Sequence, residues 1–466
     1  MEQKKRSSFS SRVGFVLAAA GSAVGLGNLW RFPYLAARYG GGIFLLVYVI
    51  LAITFGFSLM ITEIAIGRKT RLSCIGAYKA LDKRFGFLGW LAAFVPFIIT
   101  PYYCVIGGWV MKYLFTFLSG DALAAADNGG FFSNFIGYDA GSLSATMLSA
   151  SGPTPWFILF ALLTTVVVVF GVEKGIEKAS RIMMPILAVL AVVIAIYSLT
   201  IPGAVTGLKY YLLPDFSQFS VSTVLGAMGQ LFYSMSLAMG IMITYGSYMQ
   251  KENLLEHSVT QIEIFDTLFA FVAGLMIIPA VIAFNGGDPS QINSGPGLMF
   301  ITLPMVFDSM KFGTIIGAVF FLLVLFAALT SSISLTETLV SVLMDKVHMK
   351  RKPATLLITI CILVIGIPSC LGYGPWASIT IIGMQFLDFF DFISNSVLMP
   401  IVALLTCVLI GHVVGAKVIA DEVKSGAGSF HREKLHRVMV RWVAPLMLVA
   451  ILASELASKV FHIFTI

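Results

Sequence analysis

Residues 12–33 read RVGFVLAAAGSAVGLGNLWRFP, and the way this stretch folds constrains the rest of the chain. Between Arg12 and Arg31 it holds no ionisable side chain, so it is about long enough to cross a bilayer as one helix. Its centre works against that helix. Gly21, Gly25 and Gly27 are each roughly 1 kcal/mol worse than alanine in a helix interior, and Asn28 puts an amide at bilayer depth. Arg31 and Pro33 then close the segment. A helix interrupted at the midplane frees carbonyl and N–H groups that lipid cannot satisfy. Something other than lipid must bind there. The plain alternative is close packing, since Gly21-x-x-x-Gly25 has the small-residue spacing of membrane helix pairs. Gly27, Asn28 and Arg31 go beyond what packing requires.

The surrounding chain has the composition of a membrane protein. Of its 466 residues 58% are hydrophobic and 11% charged, where a soluble domain carries about 25% charge. The mean hydropathy is +0.94. The first ten residues are polar and basic, and the first apolar run is too long and lacks a small-residue cleavage site, which predicts a retained span rather than a signal peptide. Eleven apolar segments follow, at about 13–36, 41–67, 87–118, 155–172, 180–201, 221–246, 258–284, 313–344, 354–372, 376–411 and 438–464.

Charge orients these spans. With the N-terminus inside, 24 of the 30 Lys and Arg residues fall on the cytoplasmic side, leaving Arg31, Arg38, Lys112, Lys209, Lys311 and Lys459 outside. Eleven spans put the C-terminus outside. The same asymmetry accounts for the formal charge of +7, so no nucleic-acid surface is read into it. Lys424, Arg432 and Arg437, in 412–440, read as charges that orient the last span in preference to a lipid-binding patch. The five cysteines are odd in number and lack metal-like spacing; Cys104, Cys361 and Cys407 fall within spans as small core residues. No HExxH, P-loop or nucleophile elbow occurs, which argues against an enzyme. Loop 285–312 has apolar patches suited to short helices over the outer face.

The sixth segment repeats the anomaly of the first. It reads LGAMGQLFYSMSLAMGIMITYGSYM, with Tyr233, Ser234, Met235 and Ser236 at its centre between Gly229 and Gly240. Spans one and six are corresponding members of two five-span halves. Two hydrophobic segments interrupted in matching places point to a binding site between inverted repeats. Half-helix N-termini offer N–H groups and partial positive charge to a carboxylate. Unwound carbonyls and hydroxyls offer hard oxygen ligands to a small cation.

The string GSAVGLGNLWRFP closely resembles the first transmembrane helix of the neurotransmitter:sodium symporter family, and the resemblance extends over residues 6–411. It implies an all-α polytopic membrane protein with eleven transmembrane helices in a five-plus-five inverted repeat, the first and sixth helices broken. The chain then divides into a cytoplasmic segment 1–11, repeats 12–201 and 202–411, a cytoplasmic loop 412–437 and an eleventh helix 438–466. The implied function is sodium-coupled import of a neutral, hydrophobic or aromatic amino acid by alternating access, in a bacterial cytoplasmic membrane. Proton coupling through Asp266, or a non-transporting membrane receptor, are the alternatives.

The family's functional residues carry over by similarity. In the eighth span, FAALTSSISLTETL resembles the segment that lines the second sodium site, so that site would comprise the carbonyls of Gly21, Val24 and Ala327 with the Thr330 and Ser331 hydroxyls. The first sodium site resembles one made by the Ala23 carbonyl, the Asn28 amide oxygen, Ser234 and Asp266, completed by the substrate carboxylate. Chloride-dependent members usually have Asn where Asp266 stands, so the resemblance implies two sodium ions and no chloride requirement; the alternative is that Asp266 caps a local polar network. The Leu26 and Gly27 N–H groups and Tyr103, in TPYYCVIGGW, would hold the substrate carboxylate. Ala23, Tyr233, Ser234 and Ser236 would meet its ammonium, and Ile99, Tyr233, Met239, Ser331 and Leu335 would shape the side-chain pocket. Many relatives have Phe at Met239 and Gly at Ala238. Arg31 with Asp391 resembles the outer gate, and Arg6 with Asp345 the inner one, where Phe9 replaces the family's Trp and implies a weaker latch. Glu63 resembles a buried carboxylate that supports unwound backbone.

Overall fold

The computed structural model describes residues 7–138, 149, 152–425 and 428–459. Among them the regular structure is helical apart from two isolated β-bridges. The helices that frame the site are α1 (Arg12–Ala23), α2 (Phe32–Arg38), α3 (Gly42–Thr70), α4 (Cys74–Leu81) and α5 (Gly86–Leu118). They continue as α6 (Pro153–Val169), α7 (Val172–Leu199), α8 (Val221–Ser234), α9 (Ile241–Tyr248) and α10 (Leu255–Phe284). Last come α11 (Gly313–Lys346), α12 (Arg351–Gly372), α13 (Phe386–Val413), α14 (Lys417–Lys424) and α15 (Glu433–Lys459). Eight of the described helices are long and apolar enough to cross a membrane, and α1 with the Gly27–Arg38 segment makes a ninth, bent by 50°.

Local chemistry explains the bend. Ser11 caps α1 by accepting from the Gly14 N–H at 3.0 Å, and the helix ends when Val24 turns to an extended conformation. Gly25 is required beyond it, because a Cβ there would lie 2.6 Å from Ser331 Oγ and 2.9 Å from Tyr103 OH. Gly27 lies flat against the Tyr233 ring, which leaves no room for a side chain. The chain then re-enters helix through a π-turn, Gly27–Arg31.

Segment 235–240 separates α8 from α9 in the same manner. Ser236 and Ala238 adopt left-handed φ values of 53° and 61°, which only glycine adopts without strain, and Gly240 follows at 71°. The Ala238 N–H donates to Glu63 Oε1 at 2.7 Å, which supports the unwound backbone from α3. The two interruptions touch: Ser22 Oγ donates to Ser236 Oγ at 3.1 Å, and Ser236 Oγ donates to the Ser22 carbonyl at 2.9 Å.

Around this centre α5 packs on α11, α9 on α3, and α7 on α10. The apolar window of α5 is 78% buried and that of α15 only 28%, so α5 belongs to the core and α15 to the periphery. Exposed Ile50, Trp90, Val189, Ile196 and Leu446 form part of an apolar outer surface suited to lipid. Two boundaries move from their sequence-based positions. The helix of the tenth apolar segment, α13, begins at Phe386, because residues 374–385 form turns around Gly374, Pro375 and Gly383. That of the fifth apolar segment, α7, begins at Val172, through a π-turn that hydropathy does not register. Short helices at Pro289–Gln291 and Gly295–Asp308 occupy loop 285–312. All five cysteines are free.

Candidate functional site

A tight cavity lies between the two interruptions, lined from α1, α5, α8, α9, α11 and the segments joining them. Ten of the eleven residues expected to bind substrate line it: Ala23, Leu26, Gly27, Ile99, Tyr103, Tyr233, Ser236, Met239, Ser331 and Leu335. Ser22, Gly25 and Ile241 complete the wall. Tyr103 OH lies 3.3 Å from the Leu26 N–H, on the wall where backbone donors are exposed by the break. Ile99, Met239, Ile241 and Leu335 make the remainder apolar.

The eleventh expected residue, Ser234, faces away from this cavity into a second polar cluster. Its hydroxyl donates to Asp266 Oδ1 at 2.7 Å. Asn28 Nδ2 donates to the same carboxylate oxygen and to Ser234 Oγ, both at 2.9 Å. Tyr48 OH reaches Ser234 Oγ at 3.1 Å and Asp266 Oδ2 at 3.3 Å. Asn28, Ser234 and Asp266 are thus brought together from three separate helical segments. The Asn28 amide is turned differently from expectation: Oδ1 accepts from the Gly25 N–H at 3.2 Å, so its nitrogen, not its oxygen, faces the carboxylate. The physical reason is that a carboxylate draws a donor. Tyr48 was missed in the sequence because a tyrosine in an apolar run carries no distinguishing pattern. Gln230, whose Nε2 donates to the Gly27 carbonyl at 2.9 Å, was missed likewise.

A third cluster lies on α11. Ser331 Oγ approaches the carbonyls of Ser22 at 3.2 Å and of Gly21 and Val24 at 3.5 Å. Thr330 Oγ1 donates within its own helix, to Phe326 at 3.0 Å and Ala327 at 3.1 Å, the ordinary arrangement for such a residue. A Cβ on Gly21 would meet Thr330 Cβ at 3.2 Å, so Gly21 and Val24 of the break lie beside Thr330 and Ser331, and Ala327 is one turn away on α11. The donor set is carbonyl and hydroxyl oxygen, which fits a hard monovalent cation. No group of three His, Cys, Asp or Glu side chains suited to other metals gathers among the described residues.

The expected gates are in different states of contact. Arg31 makes no ion pair with Asp391 among the described residues; its guanidinium stands 5.6 Å from the Tyr233 ring centroid. Asp391 Oδ1 instead accepts from Tyr102 OH at 3.2 Å and from Asn395 Nδ2 at 2.5 Å. On the inner side Arg6 lies outside the described residues, and Asp345 Oδ2 accepts from the Ser73 N–H at 2.6 Å. Phe9 is fully buried, edge-on to Phe15, Tyr245 and Tyr248. Its N–H donates to the Tyr248 carbonyl at 3.1 Å, and Ser10 binds Glu177 through both N–H and hydroxyl. The smaller ring is therefore supplemented by polar contacts that ring size alone did not predict.

A model of the sodium:neurotransmitter symporter family matches residues 6–128 and 132–463. The chain belongs to the sodium:neurotransmitter symporter family. It is 36% identical over 433 residues to an uncharacterized sodium-dependent transporter of Bacillus subtilis, spanning 92% of this chain and 93% of that protein. A second uncharacterized sodium-dependent transporter, from Haemophilus influenzae, is 33% identical over 97% of this chain and 99% of its own length. Among solved structures, MhsT in complex with L-phenylalanine matches with a TM-score of 0.85 at 38% identity, covering 97% of this chain and all of that one. As a symporter of this family the chain is an integral membrane protein and a sodium-coupled secondary transporter working by alternating access, not an enzyme. The broken first helix and the inverted-repeat arrangement are the architecture of that fold.

Proposed function

We propose that the chain imports a neutral, hydrophobic or aromatic amino acid with two sodium ions and without chloride. The observation that carries this reading is the lining of the cavity between the two interruptions. Backbone donors and Tyr103 would meet the carboxylate of a zwitterion there, and Ile99, Met239, Ile241 and Leu335 suit an apolar side chain. L-phenylalanine bound to the similar MhsT supports the aromatic end of that range.

In this reading the substrate carboxylate completes a first sodium site formed by Ala23, Asn28, Ser234 and Asp266. A half-turn of the Asn28 amide would present its oxygen to the ion. Because ion and substrate share a ligand, each binds better when the other is present. The second ion would lie among Gly21, Val24, Ala327, Thr330 and Ser331, where the carbonyls of the break approach Ser331. Asp266 supplies the fixed negative charge for which other members use chloride. Arg31 and Asp391 would close the outer path by coming together over Tyr233, and Asp345 with Arg6 would close the inner one.

The topology that accompanies this reading has eleven spans: the nine counted by length, α6, and the α8–α9 pair taken as one broken span. The N-terminus is inside and the C-terminus outside, in a bacterial cytoplasmic membrane. Binding of labelled phenylalanine, leucine, tyrosine and tryptophan to the purified protein, in sodium and then in potassium, tests the proposal. Binding that appears only in sodium and is lost on Tyr103→Phe supports it. Binding indifferent to sodium but enhanced by acid would replace it with proton coupling.

A further inference from the structure

Arg432 precedes the last helix and reads in the sequence as one of several cytoplasmic charges. A charge needed only for orientation has no reason to leave water. Its side chain is nonetheless only 24% exposed and is held by two helices. NH1 pairs with Glu263 Oε2 at 3.0 Å, NH2 donates to Thr260 Oγ1 at 2.7 Å, and both acceptors are on α10. On α3, NH1 donates to the Ile53 carbonyl at 3.3 Å, and the guanidinium stacks 3.7 Å from the centroid of Phe57. Glu256, in the first turn of α10, fixes the backbone by accepting from the Arg432 N–H at 3.0 Å and the His431 N–H at 2.8 Å.

The Ile53 carbonyl is available for a local reason. Residues Ala52–Gly56 form a π-turn inside α3, and the Phe57 N–H, which a regular α-helix would direct to Ile53, points to Ala52 and Thr54. Arg432 is thus fitted to an irregularity of α3 and to a buried carboxylate of α10 at once. These are the two helices that supply Tyr48 and Asp266. They run antiparallel, so Ile53, five residues beyond Tyr48, and Glu263, three before Asp266, fall at one level. That level is about one turn from the ion cluster, at 1.5 Å per residue.

We propose that Arg432 is a positioning residue for the first sodium site, clasping α3 to α10 in the register that brings Tyr48 to Asp266. This rests on the reading of Asp266 as a sodium ligand. Outer groups that orient the groups around a metal change its affinity by about tenfold or more when removed. A planar group that reaches Glu263, Thr260 and the Ile53 carbonyl at once while stacked on Phe57 is one that lysine cannot reproduce.

Binding of radioactive sodium to the full-length protein, as a function of sodium concentration, tests the clasp. The principal variant is Arg432→Gln with Glu263→Gln, which leaves no uncompensated buried charge and so keeps the fold accessible. Its half-saturating sodium concentration should rise about tenfold while the amount bound at saturation stays unchanged. Arg432→Lys should give a smaller rise in the same direction. Arg437→Gln, an exposed neighbour paired with Glu433, should give none. Half-saturation equal to that of the unaltered protein, or lost capacity at unchanged half-saturation, would overturn the proposal and leave Arg432 a purely structural residue. An unaltered protein that binds no sodium would instead remove the sodium reading on which the clasp depends.

Discussion

Asp266 has a buried carboxylate with three donors around it, Asn28 Nδ2, Ser234 Oγ and Tyr48 OH, and no cationic side chain against it among the described residues. A carboxylate within a span costs roughly 2.5–3.5 kcal/mol on insertion scales, and a bound cation offsets that cost. Asp266→Asn keeps the shape and removes the charge. Sodium-dependent uptake in chloride-free medium should then fall by about tenfold or more, with part of it restored by chloride, whose charge the same donors can accept. Uptake by the variant equal to the original without chloride would exclude this role. At this scale the sequence was uneven. Gly25, Gly27 and Asn28 were legible because they contradict the apolar helix around them. Tyr48 contradicts nothing in its own run, and only the packing of α3 against α8 and α10 brings it to the carboxylate. Ala238 is marked in the sequence only by the family's usual Gly at its position, and its left-handed φ of 61° is a property of the fold.

The elements were legible wherever hydropathy and length agree, and shifted wherever a turn is apolar. Residues 376–385 look like helix by composition and are turned by Pro375 and Gly383. Interruptions at the centres of the first and sixth segments followed from glycine and serine content, but their mutual contact through Ser22 and Ser236 did not. One inter-element network was also invisible because its members lie far apart in the chain. Tyr248, ending α9, donates to Glu337 Oε1 of α11 at 2.7 Å; Arg351 of α12 pairs with Glu337 at 2.6 Å and reaches the Val168 carbonyl of α6 at 3.2 Å. Glu337 is fully buried and Arg351 15% exposed, so neither is screened by water. Glu337→Gln should therefore destabilise the protein by about 3 kcal/mol, by leaving Arg351 uncompensated. A lowered thermal transition, partly recovered by adding Arg351→Met, is the expected result; an unchanged transition would mean that the pair contributes nothing.

The whole molecule joins these parts into a transporter. Tyr233 lines the central cavity with Arg31 over its ring, and in the proposed cycle this contact would open towards the outside and the cluster around buried Phe9 towards the inside. The inward sodium gradient would drive that exchange, each charge crossing 100 mV contributing about 2.3 kcal/mol. The central claim is coupling, and uptake of labelled phenylalanine and leucine into proteoliposomes tests it most directly, with sodium and chloride replaced separately. The account predicts accumulation that requires an inward sodium gradient, collapses when sodium is equal on both sides, and is indifferent to chloride. Accumulation that persists after sodium is replaced by potassium would contradict it.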